Sequence, residues 1–152
     1  MIEGKFIHGD QDLSVIFQIR REVLCKEQKI SEEEEFDNLD QRALHVIISE
    51  KQCNLAVGRL VVMEDYYKIG RIAVLKEYRG MYYGDFVVRM LVDKAFQLGA
   101  KEVHVGAQTH VKGFYEKIGF KQEGEEYMEA GIPHIPMKLI RGSLCTGCAQ
   151  NK

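Results

Sequence analysis

The sequence predicts a mixed α/β domain, and two patterns carry that prediction. Segments rich in β-branched residues at 44–49, 55–63 and 69–75 are separated by short polar turns, which is typical of an antiparallel meander. A strand, an amphipathic helix and a second strand then follow within about 35 residues, a crossover unit whose two strands lie parallel and adjacent. At 152 residues the chain has room for one hydrophobic core. We therefore expect a single domain over residues 1–140 and a polar tail over 141–152.

Four segments predict helices. Apolar residues recur at helical spacing over residues 10–28, and again over 80–99 and about 110–118, where each helix ends at a glycine. The run Ser31–Glu35 predicts a short helix whose serine caps the first turn. Its carboxylates are interpreted mainly as a solvated acidic face.

Three further strands complete the predicted sheet, at 103–107, 120–127 and 134–140. The first of these is the second strand of the crossover unit. His134 follows a proline, so we expect extended backbone at an edge strand, with the imidazole facing a cleft.

Composition excludes several classes of protein. Charged residues make up 29% and hydrophobic residues 45%, so disorder is not expected, and a net charge of -2 lacks the basic surface of a nucleic-acid binder. No apolar run approaches the roughly 20 residues of a membrane-spanning helix, and no basic cluster with an apolar stretch opens the sequence. With only four cysteines as well, we expect a cytoplasmic protein with no nucleic-acid or membrane partner.

The pair Cys145 and Cys148 has the spacing of half a zinc site. No second such pair and no paired histidines follow it to supply the other ligands. We therefore predict no metal site and treat this pair as part of the tail.

The segment Val74–Asp85 carries the first functional signal. It runs from a strand through a turn with Gly80 and Gly84 into a helix, and the first turn of a helix presents unpaired N–H groups that bind anions such as phosphate. The alternative is that the two glycines only shape the loop. The nucleotide motifs G-x-x-x-x-G-K-[ST] and G-x-G-x-x-G are both absent.

Two motifs in order make the signal specific. Arg79–Gly84 resembles the [QR]-x-x-G-x-[GA] pyrophosphate loop of the GNAT superfamily of acetyl-CoA-dependent N-acetyltransferases, and Gly113–Phe120 resembles its [FL]-Y-x-x-x-G-F signature. Finer details are similar to the ElaA-like branch, among them Gly106–Gln108 and Gly131–Ile135. The resemblance implies the GNAT fold: a mixed, mostly antiparallel sheet of six to seven strands with a splayed parallel pair, flanked by about four helices.

The resemblance also implies acetyl-CoA as co-substrate. Backbone N–H groups of the loop would hold the pyrophosphate, and the strand before it would pair with the pantetheine amides. Tyr82 departs from the family pattern because glycine usually stands there, and left-handed backbone at a tyrosine costs roughly 1 to 2 kcal/mol. The implied cofactor-binding residues are Ile72, Ala73, Val74, Arg79, Gly80, Met81, Tyr82, Tyr83, Gly84, Asp85, Gln108 and Phe114.

The resemblance implies that Tyr115 is the general acid that protonates the departing CoA thiolate. The alternative is a half-buried structural aromatic. The group that removes a proton from the acceptor amine is left open among His134, His110, Glu22 and Glu27, with His134 and Glu27 taken forward as catalytic candidates.

The leading functional hypothesis is therefore an N-acetyltransferase that passes the acetyl group from acetyl-CoA to a primary amine by direct attack. The acceptor would be a small molecule or a peptide, and the protein a monomer or homodimer. The alternative is a non-catalytic acyl-CoA-binding or regulatory module, which would not need Tyr115.

Overall fold

A computed structural model describes residues 1–144. Within this range, eight strands form one sheet in the order β1-β2-β3-β4-β5-β8-β6, and β7 also pairs with β8. All pairings are antiparallel except that of β4 with β5. The strands are β1 Ile2–His8, β2 Leu44–Glu50, β3 Cys53–Met63, β4 Tyr66–Val74, β5 Glu102–Gln108, β6 Lys121–Gln122, β7 Tyr127–Glu129 and β8 Ile132–Ile140.

Helices cover both faces of this sheet. The first, α1 (Ser14–Arg20), continues without a break as a π-helical segment, Arg21–Glu27. The short α2 is capped by Ser31, whose Oγ accepts the Glu34 N–H at 3.2 Å. The remaining helices are α2 Glu32–Glu35, α3 Tyr83–Gln97 and α4 Lys112–Ile118, with 3-10 turns at Asp40–Arg42, Lys76–Tyr78 and Thr109–Val111.

The core has two layers, one on each side of the sheet. The larger lies under α3 and α4 and includes Val87, Leu91 and Phe120, and the smaller lies under α1 and includes Ile16 and Val57. Both follow from amphipathic patterns, since each helix buries the face on which its apolar residues recur. The two layers hold the sheet rigidly between them.

The parallel strands β4 and β5 pair over a short stretch and then separate. Their register has only two partner pairs, Lys68 with His104 and Ile69 with Val105. Just beyond, β4 carries a bulge against β3, and Arg71 at the bulge has a φ of 53°. The sheet is therefore open between the end of β4 and the end of β5, with backbone groups free on both sides.

The predicted fold class is confirmed, and the structure corrects it in three places. The strand β1 was not predicted, and the predicted strand 120–127 consists of the short strands β6 and β7. His134 lies in β8, which pairs with β5 on one side and with β6 and β7 on the other, so it is not on an edge strand. The sheet has eight strands rather than the expected six to seven, because it includes β1 and because residues 120–127 contain two strands instead of one.

Packing also continues past residue 140. The Arg141 guanidinium donates to the carbonyls of Phe96 at 2.6 Å and Ala100 at 2.8 Å, which holds it against the end of α3, and Leu144 contacts the larger core layer. The predicted tail 141–152 therefore includes residues that join the domain. Cys145 and Cys148 lie outside the described residues.

Candidate active site

A cleft of about 1090 Å³ runs through the opening between β4 and β5. At one end lies the Arg79–Gly84 loop, and at the other lie β7 and β8. Its walls mix apolar side chains with a few polar ones, as in small-molecule sites generally. Among its lining residues are Val74, Gly84, Gln108, Phe114, Tyr115 and His134.

The Arg79–Gly84 loop presents backbone rather than side chains to the cleft. Gly80 has a φ of 82°, and Tyr82, the residue that caps α3, has a φ of 68° with its side chain 70% exposed. Tyr82 therefore adopts the left-handed backbone that a tyrosine tolerates poorly. Its carbonyl accepts the Phe86 N–H, while the N–H groups of the first turn have no partner within the helix.

Two side chains of the first turn of α3 have partners of their own. The Tyr83 hydroxyl donates to Glu50 at the end of β2, and Asp85 accepts from Arg89 at 2.9 Å. The negative charge of Asp85 is thereby balanced. At Gly84 a Cβ would meet Phe114 and Val74 at 3.6 Å, an ordinary contact distance, so the fold itself tolerates alanine there.

The β4 edge supplies N–H groups that face the opening. Leu75 donates its N–H to the Leu55 carbonyl of β3 at 2.9 Å. Since successive N–H groups of a strand point to opposite sides, the Val74 N–H points into the opening. Of the other predicted β4 residues, Ala73 is buried toward α1, and Ile72 packs against the larger core layer.

Glu27 forms an ion pair with the loop, and it is not among the residues that line the cleft. Both of its oxygens accept from the Arg79 guanidinium, at 2.8 and 3.0 Å, and Arg79 Nε also donates to the Val74 carbonyl at 2.9 Å. This arrangement ties the loop to the π-helical segment. A carboxylate held in a two-pronged pair with arginine is a poor proton acceptor, so the structure does not favour Glu27 as a base. Gln108 likewise donates to Gln28 across the cleft at 2.7 Å.

Tyr115 lies in the larger core layer with its ring packed edge-on against Phe114 and Phe120, at centroid distances of 4.9 and 5.6 Å. It is 6% exposed, and it lines the cleft. Burial raises the pKa of the Tyr115 hydroxyl well above its usual range. The phenol is therefore protonated at neutral pH, as a proton donor must be.

His134 is held in one tautomer. Its Nδ1 lies 2.7 Å from the Ile132 carbonyl, which can only accept, so in the neutral imidazole Nδ1 carries the proton and Nε2 the lone pair. The ring is 7% exposed and lines the cleft. The other candidates are less suited: His110 is exposed at the cleft mouth, and Glu22 pairs with Lys26 at 3.4 Å on the surface.

A largely buried ionic network borders the cleft, and no local sequence pattern indicates it. Arg20 donates to Glu35 and Asp40 at 2.7 Å, and Arg59 donates to Asp37 and Asp40 at 2.8 and 2.9 Å. Arg71, at the β4 bulge, joins it through Asp37 at 3.1 Å and Glu35 at 3.3 Å. Three arginines face three carboxylates, so the charges balance.

The charge pattern predicts a solvated face for the acidic run Ser31–Glu35, but one of its glutamates, Glu35, is buried in this network. Glu32, Glu33 and Glu34 are exposed, but Glu35 is 2% exposed. Burial raises the pKa of the Glu35 carboxyl against the opposing effect of Arg71 and Arg20. Burial would also raise the pKa of Asp40, but Arg20 and Arg59 outweigh it and lower that pKa.

Within residues 1–144, no group of three or more His, Cys, Asp or Glu side chains is placed to hold a metal ion. In the same range no helix is both long enough and apolar enough to cross a membrane.

Comparison with known proteins decides the family. The sequence profile of the acetyltransferase (GNAT) domain matches residues 18–141. The chain belongs to the GNAT family. Its relatives include the uncharacterised N-acetyltransferase YjcF of Bacillus subtilis, 34% identical over 130 residues that cover 85% of this chain and 93% of YjcF. ElaA of Escherichia coli is 29% identical over 150 residues, covering 90% of this chain and 95% of ElaA.

Solved structures agree with this GNAT assignment. The crystal structure of Escherichia coli ElaA superposes with a TM-score of 0.81 at 27% identity, covering 91% of this chain and 99% of that one. An acyl-CoA N-acyltransferase from Pseudomonas aeruginosa superposes with a TM-score of 0.79 at 28% identity, covering 91% and 99%. The protein is thus a GNAT acyltransferase, of a family that binds acyl-CoA and acts on amine acceptors.

Proposed function

We propose that this GNAT enzyme transfers an acetyl group from acetyl-CoA to a primary amine by direct attack. The observation that carries the proposal is that one cleft is lined by the Arg79–Gly84 loop, the open β4 edge, Tyr115 and His134. A cofactor laid along β4 would bring its thioester to the point where β4 and β5 separate. We infer an acceptor that is a small molecule or a peptide amine.

The cofactor would be held mainly by backbone groups. Its pyrophosphate would accept from the free N–H groups at the start of α3, where the helix dipole favours negative charge. Its pantetheine amides would pair with β4 as an added strand. The Val74 N–H, which faces the opening, would donate to the oxyanion that forms when the amine attacks the thioester carbonyl.

His134 and Tyr115 would handle the two protons. An alkylammonium has a pKa near ~10.4, so it must lose a proton before it can attack. The Nε2 lone pair of His134 would accept that proton, directly or through a water. As the C–S bond breaks, the Tyr115 hydroxyl would donate its proton to the thiolate, and the second amine proton, lost from nitrogen as the amide forms, would pass through water back to the Tyr115 oxygen, leaving free CoA and an N-acetyl amide.

The test is a screen of primary amines for acetyl-CoA-dependent release of free thiol, with His134→Gln and Tyr115→Phe as matched variants. We expect wild-type turnover on at least one amine class and losses of roughly 10² to 10⁴ in kcat for each variant. Calorimetry of CoA should show similar affinity for all three proteins. Turnover that is faster with longer acyl-CoA thioesters than with acetyl-CoA would overturn the choice of acetyl donor.

A further inference from the structure

Tyr127 lies directly across from His134 on the neighbouring strand. The two residues are register partners between β7 and β8, and their rings stack with centroids 5.6 Å apart and planes inclined by 26°. Tyr127 is half-buried and lines the same cleft. The imidazole of His134 therefore has two restraints: this stack and the Nδ1 hydrogen bond to the Ile132 carbonyl.

The Tyr127 hydroxyl rests against Gly106 of β5. A Cβ at position 106 would overlap with the hydroxyl oxygen, but it would lie 3.6 Å from Cζ, an ordinary van der Waals distance. Gly106 immediately follows Val105, the last β5 residue that pairs with β4. The absence of a side chain at this position thus gives the tyrosine its place at the edge of the opening.

We propose that Tyr127 is a positioning residue for His134, and that Gly106 forms the contact site, here called the seat, that accommodates the Tyr127 hydroxyl. This rests on the proposed function, in which His134 accepts the proton of the amine. The hydrogen bond to Ile132 fixes the tautomer but leaves the ring free to turn about that contact, whereas the aromatic stack fixes its plane. Together they keep Nε2 aimed at one place in the cleft.

The first experiment separates the ring from the hydroxyl. Tyr127→Phe keeps the stack, so we expect kcat within about threefold of wild type, whereas Tyr127→Leu should lower kcat by roughly 10- to 100-fold, because a misplaced catalytic group is costly. The KM for acetyl-CoA should change little in either variant. If Tyr127→Leu retains wild-type kcat while His134→Gln loses it, the positioning role is wrong.

A second stack supplies the matched control. Tyr66 stacks on His104 at 4.5 Å and 22°, in a pair that does not line the cleft. Tyr66→Leu should leave kcat unchanged while losing a comparable aromatic contact. An equal loss of kcat in Tyr66→Leu would assign both effects to general destabilisation and overturn the proposal.

The second experiment tests the seat by rescue. Gly106→Ala should lower kcat, because the added methyl displaces the Tyr127 hydroxyl and with it the ring. Gly106→Ala combined with Tyr127→Phe should regain most of the lost kcat, since the methyl then meets only Cζ at 3.6 Å. If the double variant is as slow as Gly106→Ala alone, the seat is not the reason for the loss, and this part of the proposal is wrong.

A spectroscopic readout distinguishes a failure of this proposal from a failure of the proposed function. Nitrogen chemical shifts of the His134 ring should report the same Nδ1-protonated tautomer in wild type and Tyr127→Leu, whereas nuclear Overhauser contacts of the ring protons should report one ring orientation in wild type and several in Tyr127→Leu. If His134→Gln keeps its kcat while Tyr127→Leu still shows several ring orientations, the positioning is right and the base is another group. If Tyr127→Leu keeps the wild-type tautomer and ring position, the positioning role is overturned.

Discussion

Arg79 holds both carboxylate oxygens of Glu27, at 2.8 and 3.0 Å, across 52 residues of sequence. The same guanidinium donates to the carbonyl of Val74. The Arg79 side chain thus links the Arg79–Gly84 loop to the π-helical segment and to the end of β4. The pair is partly exposed, so its contribution to stability is modest.

Glu27→Gln should therefore leave kcat within about threefold and lower the free energy of unfolding by only about 0.2 to 1 kcal/mol. Steady-state kinetics and urea unfolding measure the two effects. Glu22→Gln is the control, because Glu22 belongs to a surface pair on the same segment. A loss of turnover by roughly two orders of magnitude in Glu27→Gln alone, the size of a general-base effect, would restore Glu27 as the base.

Tyr115→Phe should lower kcat by roughly 10² to 10⁴ with little change in the KM for acetyl-CoA, because the donated proton matters mainly in the transition state. Burial raises the pKa of this hydroxyl, so the wild-type enzyme should show no loss of activity from Tyr115 ionisation between pH 6 and 9. Phe120→Leu, which removes one of its packing partners, is the control for altered packing. A kcat within threefold in Tyr115→Phe would mean that water protonates the thiolate.

Local patterns predicted the parts of the fold whose apolar residues face one core. Strand β1 was missed because it lies at the edge of the sheet, and because Gly4 and the adjacent apolar pair Phe6 and Ile7 obscure the alternation that marks a half-buried strand. The left-handed backbone of Tyr82 could be expected, because the loop motif has glycine at that position. Interpretation of the acidic run holds for Glu32, Glu33 and Glu34 but not for Glu35: the burial of Glu35 depends on Arg20, 15 residues away, and no local pattern contains that contact.

Gly84→Glu should abolish the rise in thermal midpoint that acetyl-CoA produces, since a carboxylate would occupy the place of the pyrophosphate. Gly84→Ala should keep most of that rise, because its Cβ would meet neighbours at ordinary distances. Differential scanning fluorimetry across a range of acetyl-CoA concentrations gives both answers. Normal binding by folded Gly84→Glu would show that the loop does not hold the pyrophosphate.

Tyr82→Gly should stabilise the protein. Relief of left-handed backbone gains roughly 1 to 2 kcal/mol, and the greater freedom of glycine in the unfolded chain costs about 0.4 to 1 kcal/mol. The free energy of unfolding should therefore rise, by up to about 1.6 kcal/mol, in urea denaturation. Met81→Gly, with no positive φ to relieve, should destabilise the protein instead. Equal destabilisation by both changes would show that the strain at Tyr82 is compensated by its side chain.

Arg59→Met should lower the free energy of unfolding by roughly 3 to 5 kcal/mol at pH 7, because it leaves three carboxylates with only Arg20 and Arg71 as partners in a largely buried network. The hydrogen bond from Arg59 lowers the pKa of Asp37, and Arg59 together with Arg20 lowers that of Asp40. A carboxyl whose pKa is lowered in the folded state stabilises the protein at pH values above its unfolded pKa of about 3.9. That contribution to the free energy of unfolding is lost as the pH falls. The difference between wild type and variant should therefore shrink below about pH 4.

Glu35 has the opposite effect on the pH dependence of stability, because its pKa is raised in the folded state. Its contribution to the free energy of unfolding is present at pH values below its unfolded pKa and is lost as the pH rises. Arg42→Met is the control for this experiment, because Arg42 is exposed. A difference between wild type and Arg59→Met that stays constant from pH 7 to pH 3 would contradict an electrostatic origin.

The bulge at Arg71 also decides which way the side chains after it point. Ile69 faces the core layer under α3, and beyond the bulge it is the even-numbered Ile72 and Val74 that pack there, while Ala73 faces the layer under α1. Along a regular strand, residues of like parity share a face. A regular strand of the same residues would exchange these faces, driving two large side chains into the layer that holds an alanine. The bulge thus adds one residue to β4, which keeps Ile72 and Val74 on the same face as Ile69.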